Sequence, residues 1–359
     1  MRSLLVLLAV LVSCPAAAPA AVVSAGPAPD GRLTILFVAD AGEANYVRLR
    51  AAAGATTVSD RWAHVRAGAG CTARNAHTAL CPGAPAGALL DADLGDGPDT
   101  ATLAPGRDAV PVSFDVDGGP GKDTLDFSGA ARGVAVDMAA QTLGADGAAR
   151  GFEHIVGSHY QDVLLGNDEN NVIDGQPTGD NSGGPGVADR IAGRGGRDQL
   201  GGSNGPDVID GGPEPDHIDG FGGRDLLRGG GGSDFLQTYA DANARIHCGG
   251  QPDSILIGDV NVTGVPRVAR DCEEIGGLGL RIRGDRLWIT LPRSHYCTLL
   301  LRVGRHGRAH RLRRPSRRLT LAFALPAHGL RRVDVRLRKR CPEGPASFGP
   351  SSVAFRLLP

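Results

Sequence analysis

Hydrophobic and polar positions repeat every nine residues through the middle of the chain. An aliphatic residue recurs at Leu164, Ile173, Ile191, Leu200, Ile209, Ile218, Leu227 and Leu236, and Ser182 occupies the one remaining place in this series. A fixed short period of this kind is typical of a stacked solenoid. We therefore predict three-residue strands centred on these positions, whose aliphatic side chains point inward and stack about 4.8 Å apart.

Glycine and acidic residues follow the same period. The glycines are Gly157, Gly166, Gly175, Gly184, Gly193, Gly202, Gly211, Gly220 and Gly229, and the residues that end each turn are Asp162, Asn171, Asp180, Asp189, Asp198, Asp207, Asp216, Asp225 and Asp234. Glycine suits turns that need positive φ or close backbone approach. If successive nonapeptides lie on opposite sides of a flattened coil, residues eighteen apart stack. The expected columns are Asp162, Asp180, Asp198, Asp216 and Asp234 on one side, and Asn171, Asp189, Asp207 and Asp225 on the other.

A column of carboxylates at strand spacing needs a cation. Two such charges repel by about 3 kcal/mol at an effective dielectric near 20. Lysine is absent between residues 157 and 236, and the arginines there (Arg190, Arg194, Arg197, Arg224 and Arg228) are spaced irregularly. Carboxylates and the carbonyls of open glycine turns offer the oxygen ligands that calcium prefers over the more compact magnesium. Folding and metal binding would then be one equilibrium.

Two turns carry a resemblance to a known family. Gly229 to Asp234 reads GGGGSD, and Gly118 to Asp123 reads GGPGKD. The pattern resembles the haemolysin-type (RTX) calcium-binding nonapeptide. The resemblance implies an all-β protein with a calcium-loaded parallel β-roll or β-helix, flanked by small antiparallel β modules, of the secreted bacterial type without a catalytic domain. The implied metal-binding residues are Asp123, Asp162, Asp180, Asp189, Asp198, Asp207, Asp216, Asp225 and Asp234, with the turn glycines Gly193, Gly202, Gly211, Gly220 and Gly229.

Some turns depart from the motif. GRGGRD, from Gly193, and GFGGRD, from Gly220, lose the second glycine, GGPEPD replaces the fourth by Glu214, and GSHYQD, from Gly157, keeps only its ends. Calcium turns are therefore expected to be best formed from Gly193 to Asp234. The number of ions is left open.

The chain opens with an export signal. Arg2, the apolar run from Leu4 to Val12 and the small residues that follow predict a signal peptide over residues 1–20. An alternative is a lipobox at Leu11 to Cys14, which would anchor the protein through a lipid on Cys14. We predict secretion and no transmembrane span, because the apolar run is too short to cross a bilayer as a stable anchor.

Cysteine usage agrees with export. Apart from Cys14, six cysteines fall into three local pairs, Cys71 with Cys81, Cys248 with Cys272, and Cys297 with Cys341. Six cysteines allow fifteen connectivities, and proximity within modules favours this one. Disulfides persist outside the reducing cytosol.

Glycine at 54 residues and aromatics at 4% also favour a solenoid over one large core. Around the nonapeptides we predict an N-terminal β module over 31–112 with the Cys71–Cys81 loop. The β-roll covers 113–240, and residues 128–152 are an insertion that breaks the nine-residue register. A disulfide-bounded end cap over 241–276 covers the last turn, since an open solenoid end exposes strand edges.

The last module, 277–359, combines predicted strands with many arginines. Alternating runs predict five strands, at Leu287 to Leu291, Thr298 to Val303, Leu319 to Leu325, Val333 to Leu337 and Val353 to Leu357. The basic residues are Arg302, Arg305, Arg308, Arg311, Arg313, Arg314, Arg317, Arg318, Arg331, Arg332, Arg336, Arg338, Lys339 and Arg340. A surface this basic attracts anionic polymers, although the arginines could instead balance the acidic coil, the overall net charge being -1. Nucleic acid is not the expected partner, because the protein is exported and the basic run lacks aromatic residues for stacking.

No catalytic motif fits its required context. Gly201 to Gly205 matches G-x-S-x-G, but Ser203 lies in a glycine turn rather than between a strand and a helix. We therefore predict a non-enzymatic, secreted calcium-binding protein. The alternatives are an adhesion protein that binds cell-surface polyanions and, less favoured, an RTX-type hydrolase or toxin.

Overall fold

The computed structural model describes residues 20–51, 54–103, 112–175, 186–238, 244–250 and 253–257, and beyond these the backbone of nine strands between 267 and 357. The N-terminal strands are β1 (Ala21–Pro27), β2 (Leu33–Val38), β3 (Tyr46–Arg50), β4 (Ala55–Asp60), β5 (Val65–Ala67), β6 (Thr72–Asn75), β7 (Thr78–Pro82), β8 (Leu89–Asp93) and β9 (Thr100–Leu103).

The middle of the chain contains shorter strands. They are β10 (Ser113–Asp117), β11 (Thr124–Asp126), β12 (Ala135–Asp137), β13 (Gly147–Arg150), β14 (His154–Val156), β15 (Val163–Leu165), β16 (Val172–Asp174), β17 (Arg190–Ala192), β18 (Gln199–Gly201), β19 (Val208–Gly212), β20 (His217–Asp219), β21 (Leu226–Gly230), β22 (Phe235–Thr238), β23 (Arg245–Gly249) and β24 (Ser254–Ile257). The only helix among the described residues is a 3-10 turn, Gly144–Asp146.

The C-terminal strands are β25 (Arg267–Val268), β26 (Glu274–Ile275), β27 (Leu280–Arg283), β28 (Arg286–Leu291), β29 (Thr298–Val303), β30 (Ala309–Arg313), β31 (Leu319–Ala324), β32 (Arg332–Arg340) and β33 (Ser352–Leu357). All five strands predicted here from alternating residues are present. Sequence reading missed β27 and β30.

Two stacks of parallel strands form the body of the molecule. On the first face, β3, β9, β11, β14, β16, β18, β20, β22 and β24 follow one another. On the second face, β12, β15, β17, β19, β21, β23 and β25 do the same. The chain alternates between the faces, which is the parallel β-roll expected from the nonapeptide period.

The predicted inward residues form the core. Leu125, Ile155, Ile173, Leu200, Ile218, Leu236 and Ile255 are aligned in register on the first face, and Val136, Leu164, Ile191, Ile209, Leu227 and Ile246 on the second. Each is at most 3% exposed. Ser182 lies outside the described residues.

The same stacking extends on both sides of the nonapeptides. Towards the N-terminus, β2, β8, β10 and β13 stack in parallel, and β4, β7 and β6 add antiparallel strands beyond β3. Towards the C-terminus, β23 and β24 extend the two faces past Leu236, where the sequence period stops. The division into separate modules therefore remains a prediction.

Residues 128–152, predicted as an insertion that breaks the nine-residue register, contribute two strands to the stack. β12 pairs in parallel with β15, and β13 pairs in parallel with β10, so both strands belong to the stack. Val136 is 3% exposed and Phe152 5% exposed. Burial of these apolar side chains explains why the segment lies within the coil.

The Cys71–Cys81 disulfide is present and bridges the β6–β7 hairpin. Cys248 is disulfide-bonded, whereas Cys272, Cys297 and Cys341 fall outside the part of the chain that the structure describes, as do the signal peptide through residue 19 and Cys14. No helix in the described part is long and apolar enough to cross a membrane.

Candidate metal centre: two columns of buried carboxylates

Most of the turns between successive strands of the two faces end in an acidic residue or asparagine. Turns that lead from the second face to the first form what we call the first edge, with Asp123, Asn171, Asp198, Asp216 and Asp234. Turns in the opposite direction form the second edge, with Asp162, Asp189, Asp207 and Asp225. The strand positions therefore bring eight of the predicted aspartates to two edges.

Successive residues of each column, which we call its rungs, are joined by a hydrogen bond from the backbone N–H of one residue to the side-chain oxygen of the next. On the first edge, the backbone N–H of Asp198 donates to Asp216 Oδ1 at 2.8 Å, and that of Asp216 donates to Asp234 Oδ1 at 2.9 Å. On the second edge, the Asp189 N–H donates to Asp207 Oδ1 at 2.8 Å. One oxygen of each carboxylate is thus fixed by the preceding rung.

The membership of the columns differs from the sequence prediction. Asp162 stacks on Asp189, and Asn171 stacks on Asp198, each across a step of 27 residues rather than 18. The strands show the same step, because Leu164 is aligned with Ile191 and Ile173 with Leu200. This step is one nonapeptide longer than expected, which moves Asp162 to the column of Asp189, Asp207 and Asp225. Asp180 lies in the undescribed residues 176–185.

The second carboxylate oxygen divides the turns into two classes. In the first class, Oδ2 is buried without a hydrogen-bond partner, at Asp123, Asp189, Asp198, Asp216, Asp225 and Asp234. In the second class, a serine satisfies it: Ser158 N–H donates to Asp162 Oδ2 at 2.6 Å, and Ser203 N–H donates to Asp207 Oδ2 at 2.6 Å. The hydroxyls of both serines also donate to the same carboxylates. The Ser203 hydroxyl also acts on Asp189, whose pKa it lowers against the stronger effect of burial.

The column carboxylates are buried and lack cationic partners. Those of both edges are at most 4% exposed, and none takes part in an ion pair with an arginine, lysine or histidine among the described residues. Burial raises the pKa of Asp123, Asp189, Asp216 and Asp225 to about 7, and that of Asp198, Asp207 and Asp234 to about 6. Neighbouring rungs add to the effect, as Asp198 and Asp234 do at Asp216. The site is therefore incomplete unless protons or cations neutralise it.

The turn glycines allow the carboxylates to approach the backbone. A Cβ on Gly193, Gly202, Gly211, Gly220 or Gly229 would lie 2.1 to 2.9 Å from Oδ2 of the aspartate that ends the same turn. Real Cβ atoms do not approach other atoms so closely. The glycines predicted as part of the metal site are thus required by the position of its carboxylates.

The donor set fits a hard cation. Ionised carboxylate oxygens and main-chain carbonyls are the ligands that calcium takes at 2.3–2.6 Å. The described residues contain no group of three or more His, Cys, Asp or Glu side chains that could hold a metal ion. Carbonyl oxygens of the turns must therefore complete any site, and a thiolate or imidazole site for a softer metal does not fit.

A family model described as the RTX calcium-binding nonapeptide repeat matches residues 149–177 and 201–236, in four copies. This chain carries RTX calcium-binding nonapeptide repeats. Comparison with curated proteins gives no match. The two matched segments are separated by residues 178–200, where the RTX coil takes its step of 27 residues.

The RTX coil also contains rungs that sequence reading left out of the metal site. Asp99 N–H donates to Asp123 Oδ1 at 2.8 Å, Asp123 N–H donates to Glu153 Oε2 at 2.9 Å, and Asp234 N–H donates to Asp253 Oδ1 at 2.8 Å. Asp253 is followed two residues later by Ile255, and Glu153 by Ile155. This pair of an acidic and an inward residue was the available sequence signal for these rungs. Their separations of 24, 30 and 19 residues do not follow the eighteen-residue step expected for stacked turns.

Proposed function

We propose that this protein is secreted and non-enzymatic, and that calcium folds its RTX coil outside the cell. The observation that carries the proposal is the set of buried Oδ2 atoms without a partner. An unpaired buried polar group costs about 1–3 kcal/mol, and more when it is charged. Several such groups in one column would consume most of the roughly 5–15 kcal/mol that stabilises a typical domain. Calcium removes this cost and so couples binding to folding.

Export supplies the change in calcium concentration. Extracellular calcium modules have dissociation constants of roughly 10⁻⁴–10⁻³ M, which would leave the coil unfolded before secretion and folded after it. The N-terminal sequence signal and the disulfides support this localisation. The hydroxyl of Ser203 donates to Asp207 and to the Val187 carbonyl oxygen, which supports a structural role for the serine of the G-x-S-x-G match.

The test is a calcium titration of the mature chain that is monitored by circular dichroism and small-angle scattering. We expect a transition from an expanded coil to compact β structure with calcium, and a much smaller effect of magnesium at equal concentration. Equal compactness and equal melting in calcium and in chelator would refute the proposal. A hydrolase activity that needs calcium and disappears in Ser203→Ala would refute the non-enzymatic part.

The C-terminal strands favour a second function, binding of an anionic polymer. The antiparallel register of β29, β30, β32 and β33 places eight arginines at positions of one face of this sheet: Arg302, Arg311, Arg313, Arg332, Arg336, Arg338, Arg340 and Arg356. Leu299, Leu301 and Leu337 are among the residues at the alternate positions. A basic face of this density would attract a polyanion.

Retention on anionic cell-wall polymer, compared at low and high salt, tests this second function. We expect binding that salt weakens and that charge reversal at Arg311 and Arg338 abolishes. Binding that is unchanged by salt or by these substitutions would contradict it.

A further inference from the structure

The acidic column of the first edge continues towards the N-terminus, beyond the matched repeats. Asn45 N–H donates to Asp99 Oδ1 at 2.6 Å, which is the rung-to-rung hydrogen bond seen between the aspartates of the repeats. The turns that carry Asn45 and Asp99 connect β2 to β3 and β8 to β9. The Asp99 turn, LGDGPD, lacks only the first glycine of the nonapeptide, whereas the Asn45 turn, DAGEAN, contains one glycine and has asparagine in place of the aspartate.

Asp60 adds a rung from another kind of element. It ends β4, which pairs antiparallel with β3. Its Oδ1 accepts the backbone N–H groups of Tyr46 at 3.3 Å, Trp62 at 2.7 Å and Ala63 at 2.9 Å. Asn45 therefore lies between two carboxylates, because its own N–H donates to Asp99 and the next N–H along the chain donates to Asp60.

Three buried oxygens of these residues have no hydrogen-bond partner. They are Asp60 Oδ2, Asn45 Oδ1 and Asp99 Oδ2, on residues that are 1%, 0% and 1% exposed. The Asn45 side-chain nitrogen donates to the Leu94 carbonyl oxygen at 2.9 Å and to Asp99 Oδ1 at 3.3 Å. These two donations fix the orientation of the amide and leave its oxygen as an unused acceptor.

The surrounding charges are mostly negative. Burial raises the pKa of Asp99, and Asp60 and Asp96 raise it further. Glu43 responds in the same way to burial, Asp40 and Asp60, while His64 acts in the opposite direction. Within the described residues no cationic side chain forms an ion pair with Asp60 or Asp99. Arg61 instead lies over the Tyr46 ring, 5.9 Å from its centroid.

We propose that Asp60, Asn45 and Asp99 hold a divalent cation, best matched by calcium, at the N-terminal end of the coil. Two carboxylates and an amide oxygen are ligands that calcium accepts, with main-chain carbonyls completing the shell. The cation would join β4 to the first coil turns and so close the end of the RTX coil. The site rests on the calcium binding proposed above, and it differs from the repeat sites because Asp60 comes from an antiparallel strand rather than from a turn of the coil.

Trp62 provides an optical reporter for the N-terminal end of the coil. It follows Asp60 by two residues, and the only other tryptophan is Trp288, in β28. Tb³⁺ occupies calcium sites and emits light when a tryptophan close to it is excited. In the mature Trp288→Phe chain, we expect Tb³⁺ emission excited through Trp62 and displaced by added calcium.

Asp60→Asn is the test substitution, because its amide oxygen can still accept the three backbone N–H groups while the charge is lost. Calcium affinity depends strongly on ligand charge, so we expect at least about tenfold weaker Tb³⁺ binding at Trp62. Asp99→Asn removes a charge in the same way, because an amide oxygen can keep the bond from the Asn45 N–H while Oδ2 has no hydrogen-bond partner to lose, and it should also weaken binding by about tenfold. Asp216→Asn is the matched control. It should lower the total calcium bound in equilibrium dialysis and leave the Trp62 signal unchanged.

An absent Trp62 signal, or one that Asp60→Asn does not weaken, would overturn the proposed N-terminal site. If Asp60→Asn fails to fold, as judged by circular dichroism, an unchanged binding midpoint in Asp99→Asn overturns it instead. Equilibrium dialysis distinguishes failure of this site from failure of the proposed calcium binding by the repeats. If the chain binds Tb³⁺ without a Trp62 signal, only the N-terminal site is refuted, whereas no Tb³⁺ binding at all refutes both proposals.

Discussion

Replacing Asp216 by asparagine would separate two roles of its carboxylate. Oδ1 accepts the Asp198 N–H at 2.8 Å, and an amide oxygen can keep this bond. Oδ2 is buried without a hydrogen-bond partner, so the new amide nitrogen breaks no hydrogen bond there. The substitution therefore removes a charge and a metal ligand while it preserves the rung. We expect Asp216→Asn to act in opposite directions with and without calcium.

The magnitude follows from the position of Asp216 between Asp198 and Asp234. In chelator, repulsion at strand spacing amounts to about 3 kcal/mol per neighbour at an effective dielectric near 20. The raised pKa of Asp216, about 7, means that protonation relieves part of this near neutral pH. The variant should thus equal or exceed the parent in stability without calcium. With calcium at about 100 times its dissociation constant, loss of one site removes about 2.7 kcal/mol.

Denaturant unfolding followed by circular dichroism, in excess calcium and in chelator, measures both effects. The matched control is Asp207→Asn, because Asp207 uses both oxygens, accepting the N–H of Asp189 and that of Ser203. An asparagine there loses an acceptor whether or not calcium is present, so it should destabilise both states. If Asp216→Asn lowered stability equally in calcium and in chelator, Oδ2 would have no role in binding cations.

The other predictions concern protons, turn shape and serine. Seven of the eight column carboxylates, all except Asp162, have folded pKa values of about 6 to 7 against an ordinary 3.8. Their contribution to stability in chelator is fully present below pH about 4 and is lost as the pH rises through 6 to 7. The melting temperature in chelator should therefore fall over this range, and a flat profile would contradict the assignment. Gly211→Ala places a Cβ 2.3 Å from Asp216 Oδ2, whereas Gly222→Ala meets nothing closer than 3.4 Å. In calcium, the first substitution should therefore lower the free energy of unfolding by about 1–3 kcal/mol more than the second, as measured by thermal unfolding, and equal losses of stability would contradict a fixed carboxylate position. Ser203→Gly removes a hydroxyl donor from Asp207 but keeps the backbone N–H that Oδ2 accepts, so, like Ser233→Gly at an exposed turn position, it should leave the stabilisation by calcium nearly unchanged. The difference in melting temperature between calcium and chelator reports this, and a clear increase in Ser203→Gly alone would show that the hydroxyl, rather than the N–H, takes the place of a cation.

The nine-residue period determined the inward residues correctly, because burial of an aliphatic side chain leaves little freedom. Ile191 and Ile209, for example, are adjacent in register as predicted and are 1% and 0% exposed. The period did not determine which rungs are neighbours. Asp162 and Asp189 are neighbours across 27 residues, although glycine and aspartate keep the nine-residue period between them and only Ser182, outside the described residues, breaks the aliphatic series. Strand pairing depends on burial, and the polar pattern alone could not reveal the longer step.

For Asp99 and Asp253, the neighbouring rungs could not be predicted for a different reason. Asp99 and Asp123 are 24 residues apart, and Asp234 and Asp253 are 19 apart, because the connecting segments vary in length. A rung requires only a backbone N–H on one strand end and a carboxylate on the next. This requirement concerns stacking in space and imposes no spacing along the chain. Asp60 is the extreme case, since it comes from an antiparallel strand.

The two edges differ in how strongly they need cations. On the second edge, the serine-satisfied carboxylates Asp162 and Asp207 alternate with Asp189 and Asp225, so each charged rung with an unpaired oxygen has a neighbour that hydrogen bonds already satisfy. On the first edge, Asp198, Asp216 and Asp234 follow one another, and each has a buried oxygen without a hydrogen-bond partner. Repulsion between adjacent charges is therefore greatest along these three rungs. Calcium should therefore matter most at these three turns, because the strands that they connect can stack only when the three carboxylates are brought next to one another.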